Sequence, residues 1–290
     1  MHQGSLDLTL DQITKIEGHA TLALKVREGK VASLEFSIAE FKRFYTKAVR
    51  GKSIIATPQL VARICGTCSN AHLLCSIKAI EASQGIVVSE QTRLLRQLLN
   101  HGLIIRDHGL HLYLFALPDL YNRDSLLSFD ENNPEEHELI HDAFAVKESG
   151  NQLSIWAGGR SVHAPMPTLG GFLKLPQEGG QQALIAKLQE IRPRVLKLIN
   201  IFSDCPFEQK EQFSFSGLQG ENYDYLEGNI VASDGTRISA RDYGGHLERV
   251  VIPYSQAAGY RFKGSVFMVG ALARINLSKD QLHGNTKRDA

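Results

Sequence analysis

The stretch Arg63-Ile64-Cys65-Gly66-Thr67-Cys68-Ser69-Asn70-Ala71-His72 decides how this chain is read. Two thiols lie three residues apart, and an imidazole follows four residues later. On a continuous helix Cys65, Cys68 and His72 would share one face, because positions i, i+3 and i+7 stack. Thiolates select soft or borderline metals such as zinc, iron, nickel or copper. Beyond residues 65–75 the 290-residue chain has one further cysteine, Cys205. It therefore offers two strong donors at one point, not the four of a closed structural zinc site.

Three readings compete for this segment. The first is a pair of buried cysteines acting as small apolar groups. The second is a closed zinc set of Cys65, Cys68, His72 and Cys75. Ten residues of continuous helix would separate Cys65 and Cys75 by ~15 Å along the axis. Two sulfurs on one zinc lie at most ~4.6 Å apart, so Cys75 reads as core packing. The third is an open or shared site completed by ligands from elsewhere. Arg63 favours it, since a guanidinium beside thiolates lowers their pKa and leaves a fixed donor near an anionic ligand. The bland reading of Arg63 is a salt bridge at a helix end. Gly66 would let a backbone or small ligand approach closely.

Working outward, residues 6–38 carry β signals. Ala20–Val26 and Val31–Ile38 flank the turn Glu28-Gly29-Lys30, which predicts a hairpin. From Pro58, with Thr57 as N-cap, the pattern is helical up to the cysteines, and a second helix runs from about Ser69 to Ala82, closed by Gly85. Ser89–Leu117 holds a long apolar repeat (Leu94, Leu95, Leu98, Leu99, Leu103, Ile104), a buried helix ended by Pro118. A helix is expected at about Glu135–Gly150 and another over 181–202, with a glycine-rich turn region, Gly158–Gly171, between them. Tyr223–Val231, Thr236–Ala240, Val250–Pro253 and Ser265–Asn276 read as β-rich or irregular. The fold class is α+β, mainly α: an N-terminal β hairpin, then a bundle of long helices with small peripheral sheets. All 290 residues are assigned to a single domain.

Bulk composition narrows the function classes. Apolar residues are 43% and charged residues 22%, ordinary for a globular protein, and the formal net charge is +1. Nothing electrostatic points to nucleic acid or an anionic membrane. No run of ~18 apolar residues predicts a membrane span, and no basic-then-apolar leader is visible. Four cysteines in a chain of this size are not a disulfide framework, which suits a reducing, cytoplasmic setting.

The motif Arg63-Ile-Cys65-Gly66-Thr-Cys68-Ser-Asn-Ala-His72 resembles the N-terminal cysteine motif of the large, catalytic subunit of nickel–iron hydrogenases. Asp11-Gln-Ile-Thr-Lys-Ile-Glu17-Gly18-His19 resembles that family's Ile-Glu-Gly-His segment, and Gly158-Gly-Arg-Ser-Val-His163-Ala-Pro its glycine-rich turn. Tyr225-Leu-Glu-Gly228, Val251-Ile-Pro-Tyr254-Ser and Met268–Leu277 read like the cofactor-linked, cytoplasmic members. The resemblance spans nearly the whole chain, in order.

By that resemblance Cys65 is a terminal nickel ligand and Cys68 bridges nickel and iron, whose other ligands include diatomic molecules. His72 supports the bridging sulfur, and Glu17 begins a proton path, a task suited to a carboxyl whose pKa burial raises. Arg63 joins Cys65 as a first proton acceptor, His19 is structural, and His163 is a candidate contact with a partner. The activity implied is interconversion of H₂ with protons and electrons. The partners implied are an iron–sulfur small subunit, maturation proteins, and a diaphorase or ferredoxin-type electron carrier.

The chain departs from the family pattern twice. The family's C-terminal Cys-x-x-Cys has no counterpart here, so a fragment, inactive without that pair, is the expected state. Thr46 also stands where a carboxylate usually helps to hold magnesium, which makes magnesium a doubtful cofactor. The alternative function is a nickel-free scaffold resembling the quinone-site subunit of a complex I-related assembly. Members of that branch usually lack these cysteines, so Cys65 and Cys68 count against it.

Overall fold

A computed structural model describes residues 4–16, 18–40, 43–208 and 211–289. Two compact units emerge, Met1–Ala48 with Glu211–Ala290, and Val49–Lys210. The first begins with the antiparallel strands β1 (Leu6–Leu10), β2 (Ala20–Arg27) and β3 (Lys30–Ile38) in sheet order 1-2-3. Glu28 and Gly29 both take positive φ, 52° and 75°, the mirror-image turn whose twist suits a two-residue hairpin. The register pairs Leu10 with Leu22, Leu22 with Phe36 and Leu24 with Leu34, which gathers the apolar side chains on one face. A short helix α1 (Arg43–Ala48) follows.

The second unit is helical. Helix α2 (Thr57–Val61) leads through a 3-10 turn at Ala62–Ile64 to the cysteines, and α3 (Ser69–Gln84) follows them. Thr57 is not the N-cap, because Ala56 holds that position and the Thr57 hydroxyl donates to the Ser53 carbonyl at 2.9 Å. Gly85, at φ 65°, closes α3 as expected. Ser89 caps α4 (Glu90–Gly109) by accepting from the Thr92 amide. The rod does not stop before Pro118: a π-helical stretch, Leu110–Ala116, carries it into α5 (Leu117–Leu120). Pro118 falls in the first turn of α5, where a missing N–H costs little.

Asn133 accepts from the Glu135 and Glu136 amides to start α6 (Pro134–Gly158), eight residues longer than the expected end at Gly150. The strands β4 (Pro167–Thr168) and β5 (Gly171–Phe172) form a minimal hairpin, and α7 (Gln181–Ser203) closes the unit. The core joins Tyr113, Leu117, Leu139, Ala143, Val146, Ile191 and Leu198 from the π stretch, α5, α6 and α7. Tyr113 is fully buried and donates its hydroxyl to the Arg194 carbonyl at 3.0 Å.

Helices α4 and α6 approach so closely that glycine is required at the crossing. A Cβ on Gly150 would lie 2.5 Å from the Arg106 nitrogen and 2.7 Å from the Gly102 oxygen. A Cβ on Gly102 would lie 2.5 Å from the Ser154 hydroxyl.

The chain then returns to the first unit. Strands β6 (Ser216–Gln219), β7 (Asn229–Ala232) and β8 (Arg237–Ser239) form a three-stranded sheet, and β9 (Leu247–Val250) pairs with β10 (Gly259–Phe262). Residues 265–276, read as β or irregular, contain the start of α8 (Ala271–Ser278), and α9 (Gly284–Asp289) lies beyond it. The two sequence-distant parts of this unit are tied at β3: the Ile38 amide donates to Ser255 Oγ at 3.1 Å, and its carbonyl accepts from the Gln256 amide at 2.8 Å.

Candidate functional site

The cysteine segment is not one helix. Cys65 is extended, at φ −147° and ψ 133°, and α3 begins only after Cys68, which holds the N-cap position. The sulfurs nevertheless converge, because the turn at Gly66-Thr67 brings the Cα atoms of Cys65 and Cys68 to 5.6 Å and the two are bonded as a disulfide. Cys65 is 8% exposed. Its sulfur also accepts from the Cys68 amide at 3.3 Å and lies 3.4 Å from the Thr67 hydroxyl. From Cys68 onward the expected helical spacing holds, so half-buried His72 sits one turn along the same face.

Cys75 is a correction. It is exposed on α3 and does not pack in the core. Among the described residues no group of three or more His, Cys, Asp or Glu is gathered as metal ligands would be. Arg63 is exposed on the 3-10 turn just before Cys65. Glu17 lies outside the described residues, and Thr46 is exposed on α1.

Four residues that the sequence did not single out tie α3, α4, the cysteine loop and the turn after α6 together. Ser69 and Asn70, both fully buried, open α3 and bind the glycine-rich turn. The Ser69 hydroxyl accepts from the His163 amide at 2.9 Å. Asn70 donates to the Ser161 carbonyl at 2.9 Å and accepts from the Ala164 amide at 3.1 Å. Arg106, on α4, donates both to the Thr67 carbonyl inside the cysteine loop and to the Ser161 carbonyl. Burial holds its guanidinium below the ordinary value, with Asp107 opposing. Glu81 on α3 is the fourth: it takes two 2.7 Å hydrogen bonds from Arg96 on α4 and one of 2.8 Å from the Gly170 amide.

Arg106 shares the buried face of α4 with Arg96 and Asn100, so no local signal set it apart in the sequence. A charge on a buried face needs fixed acceptors, and two backbone carbonyls supply them.

His163 packs against the turn that precedes Cys65. Burial, then the Arg63 charge, hold its imidazole below the usual value, with a hydrogen bond to the Ala62 carbonyl pulling the other way. Its Nδ1 is buried with no hydrogen-bond partner among the described residues.

The donor chemistry suits a soft metal ion. When reduced, two thiolates able to meet each other can also meet one ion. A Cβ built on exposed Gly66 would touch nothing within 4 Å, so the turn between the two cysteines is open on that side. Only two donors converge among the described residues, however, and the arrangement fits half of a four-thiolate site.

Comparison with known proteins bears on what the other half is. The sequence profile of the nickel-dependent hydrogenase family matches residues 43–154. The alpha chain of sulfhydrogenase 1 from Pyrococcus furiosus is 30% identical over 286 residues, covering 97% of this chain and 66% of that relative. An F420-non-reducing hydrogenase chain from Methanothermobacter thermautotrophicus is 30% identical over 303 residues, covering 93% of this chain and 62% of its own length. Among solved structures, an NAD+-reducing NiFe hydrogenase in its H₂-reduced state superposes with a TM-score of 0.82 at 22% identity, over 93% of this chain and 66% of that one. The mainly helical fold with small sheets is therefore that of hydrogenase large subunits. The chain spans less than two thirds of the length of these relatives.

Proposed function

Because the chain belongs to the nickel-dependent hydrogenase family, we propose that it supplies the N-terminal part of a hydrogenase catalytic subunit. Such a subunit interconverts H₂ with protons and electrons. One observation carries this reading: Cys65 and Cys68 meet at the head of α3, in a loop clamped by Arg106, Ser69 and Asn70. The quoted relatives are all hydrogenases by name, which favours a catalytic role over a nickel-free scaffold.

A nickel–iron centre would supply the Lewis acidity and redox capacity for splitting H₂. The protein's own residues have narrower tasks. Reduced Cys65 would bind nickel, and Cys68 would bind nickel and iron together. The Cys68 amide, directed at the Cys65 sulfur, would stabilise negative charge there. Arg106 would fix the loop backbone, so that both sulfurs arrive in one geometry with little reorganisation. His72, one turn along the helix, would orient Cys68. Cys65 or an arginine such as Arg63 would take the first proton and Glu17 would carry it onward.

Two further thiolates would come from outside these 290 residues, since Cys75 is exposed and Cys205 is the only cysteine left. The isolated chain would then be inactive. An iron–sulfur small subunit would receive the electrons and pass them to a diaphorase or ferredoxin-type carrier, and maturation proteins would load the metals. Four cysteines in a chain of this size are not a disulfide framework, which suits the cytoplasm. No helix among the described residues is long and apolar enough to cross a membrane.

The test is metal analysis of the chain complemented with the segment that supplies the second thiolate pair and co-expressed with its small subunit and maturation proteins. About one nickel per chain is expected, and Cys65→Ser should abolish it, because ligands must be thiolates to hold the ion. Absence of nickel from the wild-type assembly would overturn the reading.

A further inference from the structure

A second constellation lies on α6, away from the cysteines in sequence: His137-Glu138-Leu139-Ile140-His141. The pattern His-Glu-x-x-His on a helix places two imidazoles one turn apart on one face, the arrangement that chelates zinc in metallopeptidases. Both histidines are exposed, and their ring centroids stand 4.5 Å apart with the planes 61° from parallel. Two imidazoles bound side by side to one ion at ~2.1 Å place their centroids roughly 4.5–5 Å apart. The rings are therefore already at chelating distance.

Their orientation is fixed by the helix beneath them. Glu136, Leu139, Asp142 and Ala143 are buried on the opposite side, and the His137 amide is held by the Asn133 carbonyl at 2.9 Å. Little more than side-chain rotation remains to be ordered when an ion binds.

We propose that His137 and His141 form a surface binding site for a divalent first-row transition-metal ion, with water completing the coordination. Imidazole pairs suit nickel, copper and zinc and do not suit magnesium or calcium. The site is not a hydrolytic centre. A metallopeptidase needs a third protein ligand and an unencumbered glutamate. Among the described residues no third donor joins the pair, and Glu138 is held by Lys197 at 2.6 Å. The positive end of the α6 dipole opposes a cation here, while Glu135 and Glu136 in the first turn offset it. This inference does not depend on the hydrogenase reading.

Nickel titration of the full chain carrying Cys65→Ser and Cys68→Ser isolates the histidine pair. One Ni²⁺ per chain is expected, with affinity falling at least about tenfold in His137→Gln or His141→Gln, since each removes one of two ligands. Both positions are exposed, so neither change should unfold the helix. If the cysteine background folds poorly, Cu²⁺ electron paramagnetic resonance of the wild-type chain gives the same answer: two nitrogen donors, lost in the His137→Gln/His141→Gln variant. Undiminished nickel or copper binding in that double variant would overturn the proposal. So would equal competition by Mg²⁺, or zinc-dependent peptide hydrolysis abolished by Glu138→Gln.

Discussion

Residues 49–210 and the sheet of residues 6–38 treat the same residue types in opposite ways. The helical unit has a fully buried leucine set, Leu73, Leu74, Leu99, Leu117 and Leu139, although Leu94 and Leu127 stay exposed. In the sheet the apolar face stays open, with Leu6 51% exposed, Leu34 58% and Phe36 48%. An antiparallel sheet ordinarily turns its apolar face to a core and its polar face to water. Here the alternation is intact but the apolar side has no full cover among the described residues. The cysteine loop is therefore tied to buried residues of the helical unit, Ser69, Asn70 and Arg106, and precise ligand placement needs such a support.

The sharpest way to break that contrast is through the buried ion pair between α3 and α4. Arg96 and Glu81 are 3% and 7% exposed at their side chains, and Glu81 also receives the Gly170 amide. Arg96→Ala strands a buried carboxylate and should cost about 3–5 kcal/mol in urea unfolding. Replacing both partners by apolar residues should cost much less. A loss below about 1 kcal/mol for Arg96→Ala would show that this support is not tight.

Next in size is Gly150→Ala. Its Cβ would meet the Arg106 nitrogen and the Gly102 oxygen, backbone atoms that cannot rotate away. Separating α4 from α6 should cost about 2–3 kcal/mol. The same move shifts Arg106 off the Thr67 carbonyl, so nickel retention should fall along with stability. Gly66→Ala, which enters open space, is the control and should leave stability nearly unchanged.

These two sites also show what the sequence could and could not disclose. The helices were legible because their signals are local: the apolar period of Leu95, Leu99 and Leu103 and the terminal glycine at Gly85. The two cysteines were legible as a converging pair, although a continuous helix through them fails between Cys65 and Cys68. Three features were not legible. The π-helical stretch carries the rod past Pro118, and no single residue type announces it. Cys75 was read as core because it lies too far along the helix to share an ion with Cys65, and only the packed structure fixes which face is buried. Arg106 reaches residues 39 and 55 positions away, a partnership that periodicity does not encode.

Asn70 probes the same clamp with a smaller effect. Asn70→Ala removes a donor to Ser161 and leaves the Ala164 amide without its acceptor. The cost should be about 2 kcal/mol, the desolvation penalty of a buried amide plus one hydrogen bond. Asn70→Asp keeps the acceptor and should recover part of it. Equal losses in the two variants would mean that packing, and not hydrogen bonding, holds the turn at residues 161–164.

The smallest effect is expected on the sheet. Leu34 pairs with Leu24 across β2 and β3, yet 58% of it is in water. Leu34→Thr keeps a residue suited to a strand and removes little buried apolar area, so stability should change by no more than about 0.5 kcal/mol. Light scattering should fall, because the open apolar face presents fewer aliphatic groups to other molecules. A loss near about 2 kcal/mol, the scale of a buried leucine, would contradict the comparison and show that the face is covered in solution. Sedimentation at two protein concentrations would then decide whether a second copy of the chain supplies that cover, because only self-association makes the effect depend on concentration.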